Sequence, residues 1–525
     1  MRQLLLDGAA LTIKQVSEPL LSDEAILVSV HYSFVSSGTE GAAIANCAQS
    51  LFTNLPQKFS KLAAAFAQHG IRATKALVKE RVKGGLFQQL GYSCSGRVIA
   101  VGKNVSQFQI GDYVACAGAG IANHADIVSV PINLAVKISH ERFVQSCSIT
   151  TIAAIALQGV RRAQLQIGEI VCVQGLGLLG QLTLQLARLA GCRVIGIDLI
   201  PERLEIARSL GAEAVFMADS SNLATDIDFL TGRQGVDCTI IAAASRSDTL
   251  LQQAMQLTRR KGTVVLVGDV GLKLERDPFY KKEIDFLISC SYGPGRYDTV
   301  YERDGFDYPY AYVRWTENRN MQAIVKLIEQ DKLQLAPLIA QSLDINQAQE
   351  GYKKLQSQTG LGILITYLPK PEKLLDREVC QTEVRAKSVR FVPARGTNLR
   401  VGIIGAGGFA KVMLLPLLAR IHNLSITAVV DANIGSALTT ARLYGAPHVF
   451  TDDTELFERD LVDAVVIASP HIHHAPQIMR ALACGKAVFA EKPLATTSEQ
   501  LSDLKELLNN NKNAALCVDF NRSFS

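Results

Sequence analysis

Apolar and polar positions along this chain fall into two stretches with the same rhythm. In the first, the apolar run Val171–Val173 predicts a short strand. A helix is expected over Gln181 to Ala190, and a second strand over Arg193 to Ile197, ending on Asp198. Short apolar strands and amphipathic helices alternate from residue 165 to 285, Val236 to Ala242 being a further strand, and a helix over Ile149 to Ala163 leads into them. That alternation predicts a doubly wound α/β sheet. In the later stretch, Leu399 to Ile404, Ala428 to Val430 and Asp463 to Ala468 read as strands, the second ending on Asp431. Before residue 130 the pattern differs: Ala25 to Val30 and Gly96 to Val101 read as strands among many glycines, which predicts a β-rich module. Pro56 to Lys83 looks helical, with Phe59, Leu62 and Phe66 on one face. It carries Lys58, Lys61, Arg72, Lys75, Lys79, Arg81 and Lys83 against one acid, Glu80, so it is either a solvated helical pair or a lid that attracts an anionic substrate. Pro369 to about Asn398, polar and proline-punctuated, is expected to be a linker.

Each α/β stretch opens on a glycine loop. The first is Gly175-Leu176-Gly177-Leu178-Leu179-Gly180, and Asp198 lies 18 residues beyond its last glycine. The first glycine permits a tight turn, the second a close backbone approach to a pyrophosphate, and the third close helix–strand packing. The helix start offers free N–H groups to the phosphates. An acid in the position of Asp198 accepts from the ribose hydroxyls and favours NAD over NADP. The second loop, Gly405-Ala406-Gly407-Gly408-Phe409-Ala410, has the same form with alanine last, and Asp431 takes the ribose position. Two such loops imply two NAD sites.

Composition narrows the class. A chain of 525 residues, 48% apolar and 20% charged, suits two to four globular domains. Its net charge of +5 is small for this length and argues against nucleic acid. The 11 cysteines are scattered, with no zinc spacing, which points to reduced thiols in a cytoplasm. Asp7 interrupts the first apolar run, unlike a signal peptide, and no apolar run reaches the ~18 residues that a membrane helix needs.

Gly91-Tyr92-Ser93-Cys94-Ser95-Gly96, running on to Gly102, then Gly111-Asp112-Tyr113-Val114, resembles the medium-chain dehydrogenase/reductase (alcohol dehydrogenase-like) superfamily. The likeness continues through Gly175–Gly180 and Gly262–Gly268 to about Tyr367. It implies a GroES-like catalytic domain of residues 1–130 and 286–367 around a Rossmann domain of residues 131–285. Zinc members supply Cys where this chain has Ser37, and His-Glu where it has Tyr92-Ser93; the four-Cys lobe for structural zinc is absent. Zinc needs thiolate, imidazole or carboxylate ligands, so no zinc is expected. Glu40 and Tyr92 then become the candidates for acid/base work, with Thr39 as a further hydroxyl donor; the alternative is that they are structural cleft residues. His31 is expected to be a satisfied core histidine.

Ser291 to Asp298 and Tyr308 to Thr316 are dense in Tyr and Arg and hold the only Trp. Arg296, Tyr297 and Arg314 are the candidate substrate wall, the two arginines gripping phosphate or carboxylate; the alternative is a surface loop closed by its own aromatics. With the basic helical insert, this segment resembles a narrower group of bacterial two-module oxidoreductases linked with surface-polysaccharide synthesis.

Residues 399–525 resemble the glucose–fructose oxidoreductase/inositol dehydrogenase (Gfo/Idh/MocA) family through the second glycine loop, Ser469-Pro470 with His474, and Glu491-Lys492-Pro493. The resemblance implies a catalytic Lys492 and cofactor contacts at Pro470, His474 and Glu491. Where the family has Asn, this chain has His471. The spacing of His471, His473 and His474 in a loop, with no carboxylate nearby, does not suit a metal. The family's substrate sheet follows the point where this sequence stops, so this module is expected to be the N-terminal part of such an enzyme, with little turnover alone.

The chain is therefore expected to be α/β, with a β-rich GroES-like domain, a Rossmann domain, a linker over residues 368–398 and a second Rossmann domain over 399–525. The expected function is a zinc-independent, NAD-linked oxidoreductase acting on a hydroxyl/carbonyl pair of a sugar or sugar nucleotide, cytoplasmic and homo-oligomeric. The alternative is a nucleotide-binding sensor or scaffold whose redox sites have decayed.

Overall fold

The computed structural model describes residues 1–8, 10–36, 38, 40, 87–355, 361–367, 399–511 and 513–519. Ser37, Thr39, the basic insert Pro56 to Lys83 and the linker read over 368–398 lie outside the described residues. The described residues of Leu21–Ala45 and Leu90–Pro371 make one compact unit, and those of Met1–Leu20, Asn46–Gln89 and Glu372–Ser525 make another.

The larger unit contains a six-stranded parallel sheet. From edge to edge its strands are Ala214–Met217, Arg193–Asp198, Ile170–Gln174, Val236–Ile241, Thr258–Leu266 and Asp285–Ile288. Numbered along the chain this order is 3-2-1-4-5-6, the doubly wound arrangement, and its switch point falls between Ile170–Gln174 and Val236–Ile241. The central strands are apolar throughout because helices cover both faces: Val171, Cys172 and Val173 are fully buried. The helix after the glycine loop spans Leu178–Leu189, starting directly at Gly177. The helix that leads into the sheet spans Thr150–Ala163 and buries eleven residues.

The same unit carries a mixed sheet ordered Ile339–Asp344, Gly362–Thr366, Ala25–Ser36, Ser93–Val101, Tyr113–Ala117, Ala135–Ile138, with Ile127–Pro131 also paired to Ala25–Ser36; every pair is antiparallel except the first, Ile339–Asp344 with Gly362–Thr366, which is parallel. Ala25–Ser36 runs for 12 residues and serves as its spine. Opposite it, Gly96 sits so close to Ser29 that a Cβ would lie 2.0 Å from the Ser29 carbonyl oxygen, so only glycine fits.

The other unit holds a second six-stranded parallel sheet, His448–Phe450, Leu424–Val430, Leu399–Ile404, Ala464–Ile467, Ala487–Glu491 and Leu516–Asp519, again in the order 3-2-1-4-5-6. A three-stranded sheet from the chain's beginning, ordered Ala10–Gln15, Arg2–Asp7, Phe87–Gln89, belongs to this unit. Leu4, Leu5 and Leu6 are fully buried. The Phe87 amide donates to Thr439 Oγ1 (3.1 Å), and Arg442 makes a two-pronged pair with Asp7 (2.6 and 2.5 Å). Among the described residues no single helix is long and apolar enough to cross a membrane.

Candidate active site

The first glycine loop is built by its neighbours. Gly175 turns with φ +88°, and a Cβ there would lie 2.6 Å from the Ala243 Cβ. A Cβ on Gly180 would lie 1.8 Å from the Gly175 carbonyl oxygen, so the helix sits directly on the turn. Gly177 faces space, its nearest neighbour being Arg203 Nη1 at 4.0 Å. No side chain caps the helix at Gly177, which leaves first-turn amides for an anion. Asp198, nearly buried, accepts from the Leu176 amide (2.6 Å) and the Ile200 amide (3.0 Å), with Arg203 Nη1 3.6 Å away. Each carboxylate oxygen keeps lone-pair capacity for a ribose hydroxyl. The arrangement fits an adenine dinucleotide, which Gly175, Gly177, Gly180 and Asp198 would hold.

The second loop repeats the wiring. The Gly405 amide donates to the Val430 carbonyl at 2.8 Å, as the Gly175 amide does to Ile197 at 2.8 Å. Asp431 accepts from the amides of Ala406 and Asn433, both at 2.8 Å. Gly405 has φ +92°, and its Cβ would lie 2.5 Å from the Ser469 nitrogen, while Gly407 faces open space.

Glu40 and Tyr92 are both buried in the larger unit. The Tyr92 hydroxyl bonds Ser36 Oγ at 2.9 Å. Glu40 Oε2 meets His124 Nε2 at 3.1 Å and takes a short bond from the Tyr352 hydroxyl. His124 Nδ1 meets Ser33 Oγ at 2.7 Å, and Ser33 Oγ meets the Tyr367 hydroxyl at 2.8 Å. With Glu40 ionised, only acceptance is open to it, so His124 Nε2 donates and Nδ1 accepts from Ser33. Burial pushes the Tyr352 and Tyr367 phenols well above their ordinary range, so both hold their protons and donate. Among the described residues, Glu40 Oε1 is buried with no hydrogen-bond partner.

These donors do not fit zinc. Both nitrogens of His124 are engaged, and among the described residues no three of His, Cys, Asp and Glu gather to hold a metal ion. His124, Tyr352, Ser33 and Tyr367 escaped the sequence reading. Tyr352 lies 312 positions from Glu40, and no motif marks that separation. His31 is half-buried, edge-on to Tyr113, and burial lowers its pKa.

In the second sheet, Lys492 is exposed and follows the buried Glu491. Glu491 is the cross-strand neighbour of Asp519. Burial, then the hydrogen bond and charge of Asp519, push the Glu491 carboxyl up to about 7. Asp519 had no role in the sequence reading; two carboxyls in register on adjacent strands are visible only once the strands are paired. His474 is fully buried, Nδ1 2.8 Å from the Pro493 carbonyl and Nε2 2.8 Å from the Ser469 carbonyl. It thus clamps the Pro470 turn to the Glu491-Lys492-Pro493 turn with both ring nitrogens.

Of the three residues read as a substrate wall, Arg296 is spent internally on Glu302 at 2.6 Å and over the rings of Tyr292 and Tyr297. Tyr297 is exposed. Arg314 is exposed, lying over Trp315 (3.7 Å) and Tyr310 (4.7 Å).

A family model described as "Zinc-binding dehydrogenase" matches residues 179–303, and one described as "Oxidoreductase family, NAD-binding Rossmann fold" matches residues 399–520. Over 278 residues the chain is 30% identical to a D-guloside 3-dehydrogenase of Escherichia coli (strain K12), covering 51% of this chain and 74% of that protein. The chain belongs to the zinc-type, medium-chain dehydrogenase family. Over 103 residues the chain is 38% identical to an inositol 2-dehydrogenase/D-chiro-inositol 3-dehydrogenase of Shouchella clausii, covering 19% of this chain and 30% of that protein. In fold it is similar to the alcohol dehydrogenase TADH from Thermus sp. ATN1 (TM-score 0.52, 20% identity, 70% of this chain and 99% of that one). It is similar in the same way to galactitol-1-phosphate dehydrogenase from Escherichia coli (TM-score 0.52, 16% identity, 70% and 100%). The Gfo/Idh/MocA-like module read in the sequence is the C-terminal of the two.

Proposed function

We propose that this medium-chain dehydrogenase oxidises, or in reverse forms, a secondary hydroxyl of a sugar or sugar nucleotide with NAD, and uses no zinc at Glu40. The expected domain division, 1–130 with 286–367 around 131–285 and a second Rossmann domain from 399, belongs to this reading. Support for a sugar comes from the relatives named above, one a guloside dehydrogenase and one an inositol dehydrogenase. A role in surface-polysaccharide synthesis remains part of the proposal, on the resemblance carried by the Tyr- and Arg-rich segment together with the basic insert.

The observation that carries the chemistry is Glu40 Oε1, a buried carboxylate oxygen without a partner among the described residues, beside an Oε2 bonded to His124 and Tyr352. A bound nicotinamide supplies the hydride acceptor for the carbinol carbon. The chain's own task is the proton. Oε1 takes the hydroxyl proton as the carbonyl forms, while His124 and Tyr352 hold Oε2 and stabilise the carboxylate that receives it. Tyr92, steadied by Ser36, donates to the substrate oxygen. In the later module Lys492 would serve as the acid/base group, with Pro470 and Glu491 toward the cofactor.

NADH formation across a panel of glycosides, sugar phosphates and nucleoside diphosphate sugars tests the reading. Turnover insensitive to a chelator and lost in Glu40→Gln, with NADH binding retained, supports it. NADH binding by the wild type without turnover of any member sinks it in favour of a nucleotide-responsive sensor.

A further inference from the structure

The segment that follows the carboxyl end of strand Asp285–Ile288 balances its charges almost completely. Glu302 pairs with Arg296, Asp304 with Arg303 and Asp307 with Arg319. Asp298 accepts from the Tyr308 hydroxyl and the Val300 amide. Glu317 is fully buried, and desolvation pushes its carboxyl up to about 9, so it is neutral at pH 7. Two guanidinium groups without a carboxylate partner among the described residues lie together here, Arg314 of this segment and Arg161 of the helix Thr150–Ala163; Arg162 of that helix, also without one, is bonded to a backbone carbonyl.

These two meet at the only Trp of the chain. The Arg161 guanidinium carbon lies 3.3 Å from the Trp315 ring centroid and that of Arg314 lies 3.7 Å from it. Two such carbons on one face would collide, so the indole is sandwiched, and the cations stand no farther apart than the sum of those distances. Arg161 Nε donates to Asn320 Oδ1 (2.8 Å), which sets the tilt of its plane. The next residue, Arg162, donates to the Ile288 carbonyl (3.2 Å), which fixes this end of its helix at the carboxyl edge of the sheet. A stacked guanidinium keeps its N–H edge free for planar, two-pronged bonds to a phosphate. Like charges this close, with no carboxylate between them, are relieved by a multivalent anion.

We propose that the Arg161–Trp315–Arg314 stack binds a phosphate or diphosphate group, such as a sugar phosphate or sugar nucleotide carries. The reading as a sugar oxidoreductase enters only in naming the carrier.

Trp315, as the sole indole, reports its own site. The full chain, saturated with NAD to occupy the dinucleotide crevices, would be titrated with inorganic phosphate, pyrophosphate and a uridine diphosphate hexose at constant ionic strength, with chloride as control. The expected result is a saturable change in indole emission for the phosphate carriers, tightest for those with two phosphates, and none for chloride. Arg314→Gln should weaken binding by roughly tenfold or more, since a charge-assisted bond is lost. Arg161→Lys, which keeps the charge and loses the planar fork, should weaken it less. Binding of pyrophosphate but not of the hexose derivative would support the anion site and assign it to the free anion. No saturable change with any of the three, or wild-type affinity in a folded Arg314→Gln, would overturn the proposal. The wild-type titration decides even where a variant misfolds, and because it reads binding alone, its failure is separable from a failure to form NADH.

Discussion

The two dinucleotide crevices share their wiring and differ at one backbone contact. In both, a glycine amide bonds the end of the second strand, and an acid at that strand's tip holds the next loop residue. The third fingerprint position differs: Gly180 in one, Ala410 in the other. A Cβ at Gly180 would strike the Gly175 carbonyl at 1.8 Å. Ala410 carries its Cβ, nearly buried, where the helix opens into a wider π turn over Ala410–Leu414. The same loop therefore tolerates a methyl group only where the helix start has unwound. A fingerprint written as glycine-or-alanine describes two packing solutions that are not interchangeable.

The sharpest way to break this comparison is to exchange the residues. Gly180→Ala places a methyl group against backbone and should cost roughly 3 kcal/mol or more, together with NAD binding in that unit. Ala410→Gly should cost only about 1 kcal/mol, for backbone freedom. Denaturant unfolding and NADH fluorescence read both; equal penalties would refute the packing account.

Next in size is the catalytic contrast. Glu40→Gln should lower kcat by roughly 10² to 10⁴ with NADH affinity unchanged. If Lys492→Met matched that loss, turnover would run through the later crevice instead.

Two buried carboxyls give a pH contrast. Glu317 and Glu491 are raised to about 9 and about 7 from an ordinary 4.5. Each is protonated more readily folded than unfolded, so its contribution is full below about pH 4.5 and is lost as pH rises through the folded value. Stability, read as melting temperature, should therefore decline between about pH 4.5 and 9 because of Glu317, by up to roughly 6 kcal/mol at about 1.4 kcal/mol per pKa unit, and only between about pH 4.5 and 7 because of Glu491, by ~1 kcal/mol or less after solvent screening. Glu317→Gln and Glu491→Gln should each flatten the melting curve in its own window. A wild-type profile flat from pH 5 to 9 would contradict the burial argument.

The smallest effect concerns cofactor choice. Arg203 stands 3.6 Å from Asp198, and among the described residues no cation pairs with Asp431. Asp198→Asn should therefore raise NADPH affinity relative to NADH by a few fold, about 1 kcal/mol, whereas Asp431→Asn should leave that ratio unchanged. Fluorescence titration with each cofactor checks both.

The order of elements was legible because periodicity and glycine punctuation are local. Val171 to Val173 is buried on both faces and therefore uniformly apolar. Asp198 and Asp431 lie at readable distances from their loops because one helix and one strand separate them. Glu40 and Tyr92 were legible as positions left by absent metal ligands. Their partners were not: His124 and Tyr352 come from separate elements, and Asp519 meets Glu491 only through strand register. Arg296 and Arg314 look alike in sequence, yet one is neutralised by Glu302 and the other lies open on Trp315.

Sequence alone determined that two acid-tipped βαβ loops exist, since each is specified by residues within a single turn-helix-strand passage. Only the tertiary structure decided which charges find partners. It likewise decided that Glu40 keeps one oxygen bare among the described residues, and that the first twenty residues belong to the compact unit of the later sheet. Such outcomes depend on which distant side chains reach the same few ångströms of space, and no local spacing along the chain encodes them.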